Sequence, residues 1–172
     1  DHVRDAGIDL AAVRPRIEHC SILHDEQIER MKDLGVSASF LIGHVHYWGR
    51  AFRDRIIGPE RAARLGAGQS ALKHGVRFSL HSDYDVTEIG PLRCIENAVT
   101  RIMRDGGEVL GPDQRIPVDQ ALRAMTIDAA YQARMDHAVG TLEVGKYADL
   151  VVLEEDPMKV DPTRLSQIKV RE

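Results

Sequence analysis

The chain has few cysteines and no long apolar run, and both absences exclude whole classes of protein. Its two cysteines, Cys20 and Cys94, lie in no metal-ligand spacing and indicate no disulfide framework, which favours a reducing cytoplasm. The longest apolar runs, residues 38–43 and 150–153, are far below the roughly 20 residues that a membrane helix requires. Residues 1–5 have no apolar core behind them, so we expect no signal peptide, and the short apolar runs predict no membrane partner.

Charge and length set two further limits. The formal net charge is −4, and the lysines and arginines form no clustered stripe, so we expect no nucleic-acid partner. With 172 residues and 43% hydrophobic content, the chain can bury one good core. It is nevertheless short for a complete β/α barrel, which usually needs roughly 250 residues.

Three predicted strands in the first half of the chain each lead into a histidine or an aspartate. His19 closes the first strand, His44 follows the second, and Asp83 follows the third. Helix-like sequence separates the strands, and this βαβαβ order favours parallel pairing through right-handed crossovers. The predicted strands are residues 16–19, 38–42 and 77–81, with helices within 25–34 and 60–74. The sequence therefore predicts an α/β fold.

The rest of the chain alternates between predicted helices and turns until its pattern changes near Gly140. Acidic residues from Asp25 and a glycine at Gly35 are typical of the two ends of a helix. Residues 50–64 have mixed charge and a Gly-Pro break, which predicts a loop followed by a helix start. Further helices are expected at 91–104, 117–125 and 126–135, and a small β element at 140–153.

The residues at the strand ends are suited to binding a metal ion. Parallel strands have all their carboxyl ends on one side of the sheet, so His19, His44 and Asp83 should converge on one crevice. Neutral imidazoles and a carboxylate are suitable ligands for a divalent metal such as zinc. From these residues, the chain is interpreted as part of a metal-dependent hydrolase.

Several segments, taken in their order and spacing, are similar to the amidohydrolase superfamily. Residues 140–153, Gly-Thr-Leu-Glu-Val-Gly-Lys-Tyr-Ala-Asp-Leu-Val-Val-Leu, resemble its C-terminal signature, and residues 126–130 resemble the helix before it. Residues 16–19, Arg-Ile-Glu-His, resemble the end of the sixth barrel strand, and residues 81–83, His-Ser-Asp, the end of the eighth. Residues 40–49 and 110–116 resemble the branch that contains N-substituted formamide deformylase.

The resemblance implies a fold and two domains. Residues 1–138 are expected to form strands six to eight of a (β/α)8 TIM barrel with their helices. Residues 139–172 are expected to supply the C-terminal strands of a small composite β-sandwich domain. The chain would then be a C-terminal fragment of a longer hydrolase.

The resemblance also implies an activity, the hydrolysis of a non-peptide C–N bond in an amide, formamide or cyclic amide by metal-activated water. His19 matches a histidine that binds the metal, and Asp83 matches an aspartate that contacts the metal and accepts a proton from the water. His44 is a candidate for binding the substrate carbonyl or stabilising the oxyanion. The expected cofactor is zinc, as one or two ions, and the substrate is a small amide-type molecule. Besides His44, the residues expected to contact the substrate are Tyr47, Trp48 and His81.

The chain departs from the family pattern in several ways. The H-x-H motif of the first barrel strand and the ligands of the fourth and fifth strands have no counterpart in this sequence order. His44-Val45-His46 has the H-x-H form, and an extended chain would place both imidazoles on one face, but it stands in the place of the seventh strand. His81 replaces the usual small residue before Ser82. Because two ligands rarely hold zinc firmly, we expect the chain alone to bind metal weakly.

Each candidate residue has a structural alternative that the sequence leaves open. His19 could be a strand-end histidine bonded to backbone, and Asp83 could be a turn or helix-capping aspartate. Tyr47 and Trp48 could be core aromatics. For the chain as a whole, the alternative to a hydrolase is a catalytically inactive half-barrel that acts only as a structural or interaction module.

Three strands taken from a closed barrel should leave apolar surface uncovered. We expect Phe40, Ile42, Phe78 and Leu80 to face solvent on the inner side of the barrel. Burying one Leu or Val side chain contributes roughly 1.5–3 kcal/mol, so leaving several exposed would remove most of the net stability of a domain. The chain is therefore expected to self-associate or to occur as part of a longer polypeptide.

Overall fold

Three parallel strands form the sheet of the computed structural model, which describes residues 5–171. The strands are β1 (Arg16–His19), β2 (Ser37–Leu41) and β3 (Phe78–His81). β2 lies in the middle, and its Ser39 is in register with Glu18 of β1 and Ser79 of β3. The predicted parallel arrangement is confirmed, so the carboxyl ends of all three strands lie at one edge of the sheet. The outermost residues of the two predicted domains, 1–4 and 172, lie outside the described residues.

A helix precedes β1, and others occupy the connections between the strands and parts of the chain after β3. They are α1 (Leu10–Val13), α2 (Asp25–Leu34), α3 (Gly49–Ala51), α4 (Pro59–Ala62), α5 (Gly68–Lys73), α6 (Pro91–Thr100), α7 (Val118–Met125) and α8 (Ile127–Gln132). Two π-helical turns, His44–Trp48 and Phe52–Ile56, flank α3, and 3₁₀ helices cover Pro112–Gln114 and Pro162–Gln167. Along residues 5–171, no helix combines the length and apolar character needed to cross a bilayer.

Helix α2 shows how the sequence defines both ends of a helix. The Gln27 side chain accepts a hydrogen bond from the His24 backbone amide at 2.9 Å, at the end where amide groups lack partners within the helix. Gly35 ends the helix in the left-handed conformation, at φ 65°, which glycine adopts without strain. Between these ends, Ile28 and Met31 are buried, so one face of α2 joins the hydrophobic core.

The apolar side chains of β2 and β3 belong to this core, and the prediction that they face solvent is wrong. Phe40, Ile42, Phe78 and Leu80 are all buried, none more than 5% exposed. The Phe40 and Phe78 ring centroids are 5.4 Å apart, within the range of a favourable aromatic pair. Helical residues such as Ala98 of α6 complete the layer against them.

Small polar side chains lie on the opposite face of the sheet. Ser39 and Ser79 are buried there, and the Ser79 hydroxyl donates a hydrogen bond to the Gln132 side chain at 2.6 Å. Gln132, in α8, also donates to the backbone carbonyl of Ala38 at 2.8 Å. Successive residues of a strand point to opposite faces. The expectation had therefore assigned the two faces the wrong way round. Helices such as α6 pack against the apolar face, while α8 reaches the serine face through Gln132.

The segment after β2 is helical, so the loop predicted from residue 50 is wrong as far as residue 56. Val45 is fully buried, and Gly49 is packed so closely that an added Cβ would lie 2.9 Å from Met103 Cγ. Only a narrow face of this segment meets the core. Its exposed charged residues therefore obscure the helical period in the sequence.

The predicted β element at 140–153 forms no regular strand within the described chain. Leu153 makes an isolated antiparallel bridge with Val170, while Leu150 and Val151 are more than half exposed. A strand needs a neighbour to pair its backbone groups. Among residues 5–171, the only β pairing of this segment is the single bridge between Leu153 and Val170, so no regular strand forms.

Candidate active site

Two of the predicted site residues meet at the carboxyl edge of the sheet. His19 ends β1 and Asp83 lies two residues beyond β3, so they come from the two outer strands. Both have a left-handed backbone, with φ of 66° at His19 and 50° at Asp83. His19 Nε2 and Asp83 Oδ2 are 3.6 Å apart. The fold therefore brings an imidazole nitrogen and a carboxylate oxygen together from opposite sides of the middle strand.

His81 and His44 lie beside this pair. The His19 and His81 ring centroids are 5.3 Å apart, and His44 experiences the charges of His19, Asp83 and His81. His44 Nδ1 and His81 Nε2 are buried and have no hydrogen-bond partner among the described residues. Buried polar atoms in native proteins are nearly always paired, so two such nitrogen atoms at one edge mark it as a candidate binding site.

Burial lowers the pKa of both His44 and His81. The charge of His19 lowers both pKa values further, whereas the carboxylate of Asp83 opposes the shift in each case. A lowered pKa keeps an imidazole neutral near neutral pH, with one nitrogen lone pair available. Both rings are thereby suited to accept a hydrogen bond or to bind a cation.

The donor atoms at this edge fit part of a zinc shell. Two ligands about 2.0–2.1 Å from a tetrahedral zinc ion lie roughly 3.3 Å from each other. The separation of His19 Nε2 and Asp83 Oδ2, 3.6 Å, is close to that value. Across residues 5–171, however, no three His, Cys, Asp or Glu side chains are grouped as a metal site requires. Since a catalytic zinc takes three protein ligands, His19 and Asp83 fit the ion without completing its shell.

Glu18 is a charged neighbour of the site that the sequence interpretation did not single out. It forms an ion pair with Arg16 and is in register with Ser39. Burial raises the pKa of Glu18, but Arg16, Ser39 and the charge of His81 together hold that pKa below its usual value. The alternation of the strands could have identified Glu18, because it occupies the same row as Ser39 and Ser79.

His44 and His46 do not share a face, contrary to the expectation for an extended chain. The segment His44–Trp48 is a π-helical turn, so residues two apart point in different directions. The His44 ring lies 5.3 Å from the Phe52 ring, and the charges of the His19 and Asp83 side chains shift the pKa of His44. His46 Nδ1 instead lies 2.9 Å from the backbone carbonyl of Ile102. His46 therefore has a structural contact, and His44 alone of the two belongs to the site.

Tyr47 and Trp48 follow His44 on the same turn. The Tyr47 hydroxyl donates a hydrogen bond to the Glu88 carboxylate at 2.9 Å, which joins the segment after β2 to the loop after β3. Burial raises the pKa of Tyr47, and the neighbouring negative charge of Glu88 raises it further. The Trp48 side chain is 48% exposed. Neither residue is a fully buried core aromatic, so both remain available at the surface near the site.

Known proteins with related sequences and structures share both the sequence pattern and the fold. A model of the amidohydrolase family matches residues 2–172. N-substituted formamide deformylase of Arthrobacter pascens is 33% identical over 155 residues, which are 90% of this chain and 28% of the deformylase. Protein LONG AFTER FAR-RED 3 of Arabidopsis thaliana is 36% identical over 141 residues, covering 81% of this chain and 24% of that protein. An uncharacterised metal-dependent hydrolase of Pyrococcus horikoshii has a TM-score of 0.73 at 25% identity, over 94% of this chain and 34% of its own. The chain thus spans about a quarter to a third of the length of each.

Proposed function

The chain belongs to the amidohydrolase family, in the branch of N-substituted formamide deformylase, and on that premise we propose that it forms part of a metal-dependent hydrolase of non-peptide C–N bonds. The proposed substrate class is an amide, formamide or cyclic amide, and likeness to the deformylase supports the formamide. The observation that carries the proposal is the approach of His19 Nε2 and Asp83 Oδ2 to 3.6 Å. This pair lies at the carboxyl edge of parallel strands, where β/α enzymes have their active sites.

We propose that His19 and Asp83 hold a divalent metal, with zinc as the ion and one or two ions in the complete enzyme. The ion would supply water acidic enough to lose a proton near neutral pH. The Asp83 carboxylate accepts the proton of the attacking water and returns it to the leaving nitrogen. Neutral His44 donates a hydrogen bond to the substrate carbonyl oxygen as negative charge develops there.

Tyr47, Trp48 and His81 are proposed to contact the substrate. The Tyr47–Glu88 hydrogen bond would border the site on one side, because it joins the two segments that follow β2 and β3. The exposed ring of Trp48 offers an apolar face to a substituent on the amide nitrogen. His81 Nε2, buried without a partner among the described residues, offers a polar contact next to His19.

We also propose a place for the chain within a longer enzyme. The three strands would be strands six to eight of a (β/α)8 barrel formed in part by residues 1–138, and residues 139–172 would add strands to a small β domain. The 28% coverage of the deformylase supports this placement. The exposed Leu150 and Val151 support it too, because strands from elsewhere in the enzyme would cover them. Without such strands, these residues would drive self-association. The buried free thiols of Cys20 and Cys94 agree with a reducing cytoplasm.

A catalytically inactive structural module is the second candidate. It is favoured by the observation that, within the described part of the chain, no three potential ligands come together. In that case the strand-end residues would serve only the fold of a half-barrel, and the protein would act through its surfaces.

A substrate panel applied to the full-length gene product distinguishes the two candidates. The panel contains N-substituted formamides, linear amides and cyclic amides, and the protein is assayed as purified, after chelation, and after zinc is restored. We expect hydrolysis of at least one class, lost on chelation and recovered with zinc. Zinc-loaded protein that hydrolyses no member of the panel would favour the inactive module.

A further inference from the structure

The loop after β3 closes on itself at the point where Asp83 leaves the strand. The Asp83 carbonyl accepts a hydrogen bond from the Val86 backbone amide at 2.6 Å. The carbonyl of Ser82, one residue earlier, accepts a hydrogen bond from the Thr87 hydroxyl. These two bonds bracket the left-handed backbone of Asp83, at φ 50°. The orientation of the Asp83 carboxylate therefore depends on how firmly this turn is held.

Thr87 is itself fixed by a close contact with the segment after β2. Its side chain is buried, with 6% of the residue exposed. A Cβ added to Gly43 would lie 2.6 Å from Thr87 Oγ1 and 2.8 Å from Thr87 Cγ2. Thr87 thus occupies the space that the absent side chain of Gly43 provides. Gly43 directly precedes His44, so the contact joins the backbone that carries His44 to the turn that carries Asp83.

We infer that Thr87 is a positioning residue. Its hydrogen bond to the Ser82 carbonyl holds Asp83 opposite His19, and its contact with Gly43 fixes the position of Asp83 relative to His44. This inference rests on the proposed function, since it concerns the residues assigned there to the metal and to proton transfer. Partners that orient a ligand from outside the shell typically affect metal affinity by about 10–100-fold. Thr87 fits this role although it touches neither the metal nor the substrate.

A purely structural role for Thr87 makes a different prediction. If Thr87 only contributed a buried hydrogen bond, its loss would lower stability and leave zinc binding by the folded protein unchanged. Thr100 provides a matched control, because its hydroxyl also donates to a backbone carbonyl, that of Glu96, at 2.7 Å. The two threonines are equally buried, at 6% and 7% exposure. The bond of Thr100 joins two residues of α6 and does not involve the turn that carries Asp83.

The test compares Thr87→Val, Thr87→Ser and Thr100→Val in the full-length gene product. Zinc alone is the probe, and its dissociation constant is measured by competition with a chelating dye at a temperature where every variant is folded. We expect Thr87→Val to weaken zinc binding by about 10–100-fold. Thr87→Ser, which retains the hydroxyl, and Thr100→Val should bind zinc as the unmodified protein does. Unchanged zinc affinity in Thr87→Val, or equal losses in Thr87→Val and Thr100→Val, would overturn the inference.

A crystal structure of Thr87→Val keeps the inference testable if the unmodified protein binds no zinc. We expect Asp83 to leave its left-handed conformation or its separation of 3.6 Å from His19 to increase, while Thr87→Ser keeps both. An unchanged Asp83 in Thr87→Val would reject the positioning role. Failure of the unmodified protein to bind zinc would instead reject the metal site of the proposed function, so the two failures are distinguishable.

Discussion

Two polar clusters in this fold differ in how completely their hydrogen bonds are satisfied. The buried guanidinium of Arg101 donates to the backbone carbonyls of Leu65 and Leu110, both at 2.7 Å. At the carboxyl edge, His44 Nδ1 and His81 Nε2 are buried with no partner in the described chain. A polar group whose bonds are made within the chain stabilises the fold, whereas a buried group left unpaired costs free energy and calls for an explanation.

His74 Nε2 and Asn97 Nδ2 are also unpaired in the described chain. It is therefore the grouping of His44 and His81 beside His19 and Asp83 that distinguishes the edge. The Arg101 cluster is explained by the fold alone, whereas the residues at the edge are explained by the proposed site.

The Arg101 cluster joins two parts of the chain that are distant in sequence. Arg101 also donates to Gly66 at 3.2 Å, so its side chain holds the turn between α4 and α5 against the segment from 101 to 110. Burial, with a smaller effect of Arg115, lowers the pKa of Arg101 to about 10. Arg101 therefore remains protonated at neutral pH and keeps its full set of donors.

The largest expected effect is on catalysis, at the unsatisfied cluster. Asp83→Asn keeps the shape of the side chain but removes the proposed proton acceptor, so turnover in the full-length enzyme should fall by about 10²–10⁴. Its thermal unfolding should stay close to that of the unmodified protein. The measurement is the initial rate on the best substrate of the panel, together with a melting curve.

Asp136→Asn is the matched control for that substitution. Asp136 forms an ion pair with Arg14, which precedes the amino end of β1, at 2.5 Å, so the same chemical change there should leave turnover unaltered. Near-normal turnover in Asp83→Asn would remove Asp83 from the role of general base.

The next effect is on stability, at the satisfied cluster. Arg101→Met leaves several buried carbonyl groups without donors, and we expect the free energy of unfolding to fall by about 3 kcal/mol or more. Urea denaturation measures it, with Arg104→Met as the control because the Arg104 side chain is 58% exposed. In Arg101→Met, turnover per folded molecule should equal that of the unmodified protein. A stable Arg101→Met variant would show that the bonds of this cluster contribute little to the fold.

The smallest expected effect is a change in stability, at an ion pair that belongs to neither cluster. Asp128 pairs with Arg77 at 2.9 Å, yet burial raises its pKa above the usual value despite the charges of Arg77 and Arg123. The folded protein therefore binds a proton at Asp128 more readily than the unfolded chain, and this contribution to stability decreases as pH rises through the folded-state pKa. Asp128→Asn should change the unfolding free energy by about 1 kcal/mol or less near neutral pH.

The raised pKa of Asp128 is checked by measuring how the free energy of unfolding depends on pH. In urea denaturation between mildly acidic and neutral pH, the unmodified protein should gain stability relative to Asp128→Asn as the pH falls. A relative loss of stability on acidification would mean that the Asp128 pKa is lowered, as in a well-formed ion pair.

The sequence was sufficient to predict the sheet and the residues at its edge. The alternation of apolar strands and helix-like segments favours parallel strands, and parallel strands bring His19 and Asp83 to the same edge. Which face of the sheet each strand residue points to was harder to predict. Serine fits either face, so Ser39 and Ser79 did not reveal that Phe40 faces the helices.

Other features depend on contacts that a linear pattern does not contain. In the sequence, Arg101 resembles any other arginine. Its structural role depends on the carbonyl groups of Leu65 and Leu110, which are distant in sequence from each other and both accept its hydrogen bonds. The helical segment after β2 packs with Gly49 close against Met103, a contact between residues more than fifty positions apart. The apolar run ending at Leu153 has the composition of a strand, but composition cannot provide a neighbouring strand to pair with.

The central claim is that the unsatisfied edge is a metal site to which His19 and Asp83 contribute. The most direct measurement is the anomalous X-ray scattering of zinc in crystals of the full-length gene product. We predict a zinc peak about 2.0–2.2 Å from both His19 Nε2 and an Asp83 carboxylate oxygen. It should disappear in the His19→Ala variant. Zinc bound elsewhere, or persisting at full occupancy in His19→Ala, would contradict this account.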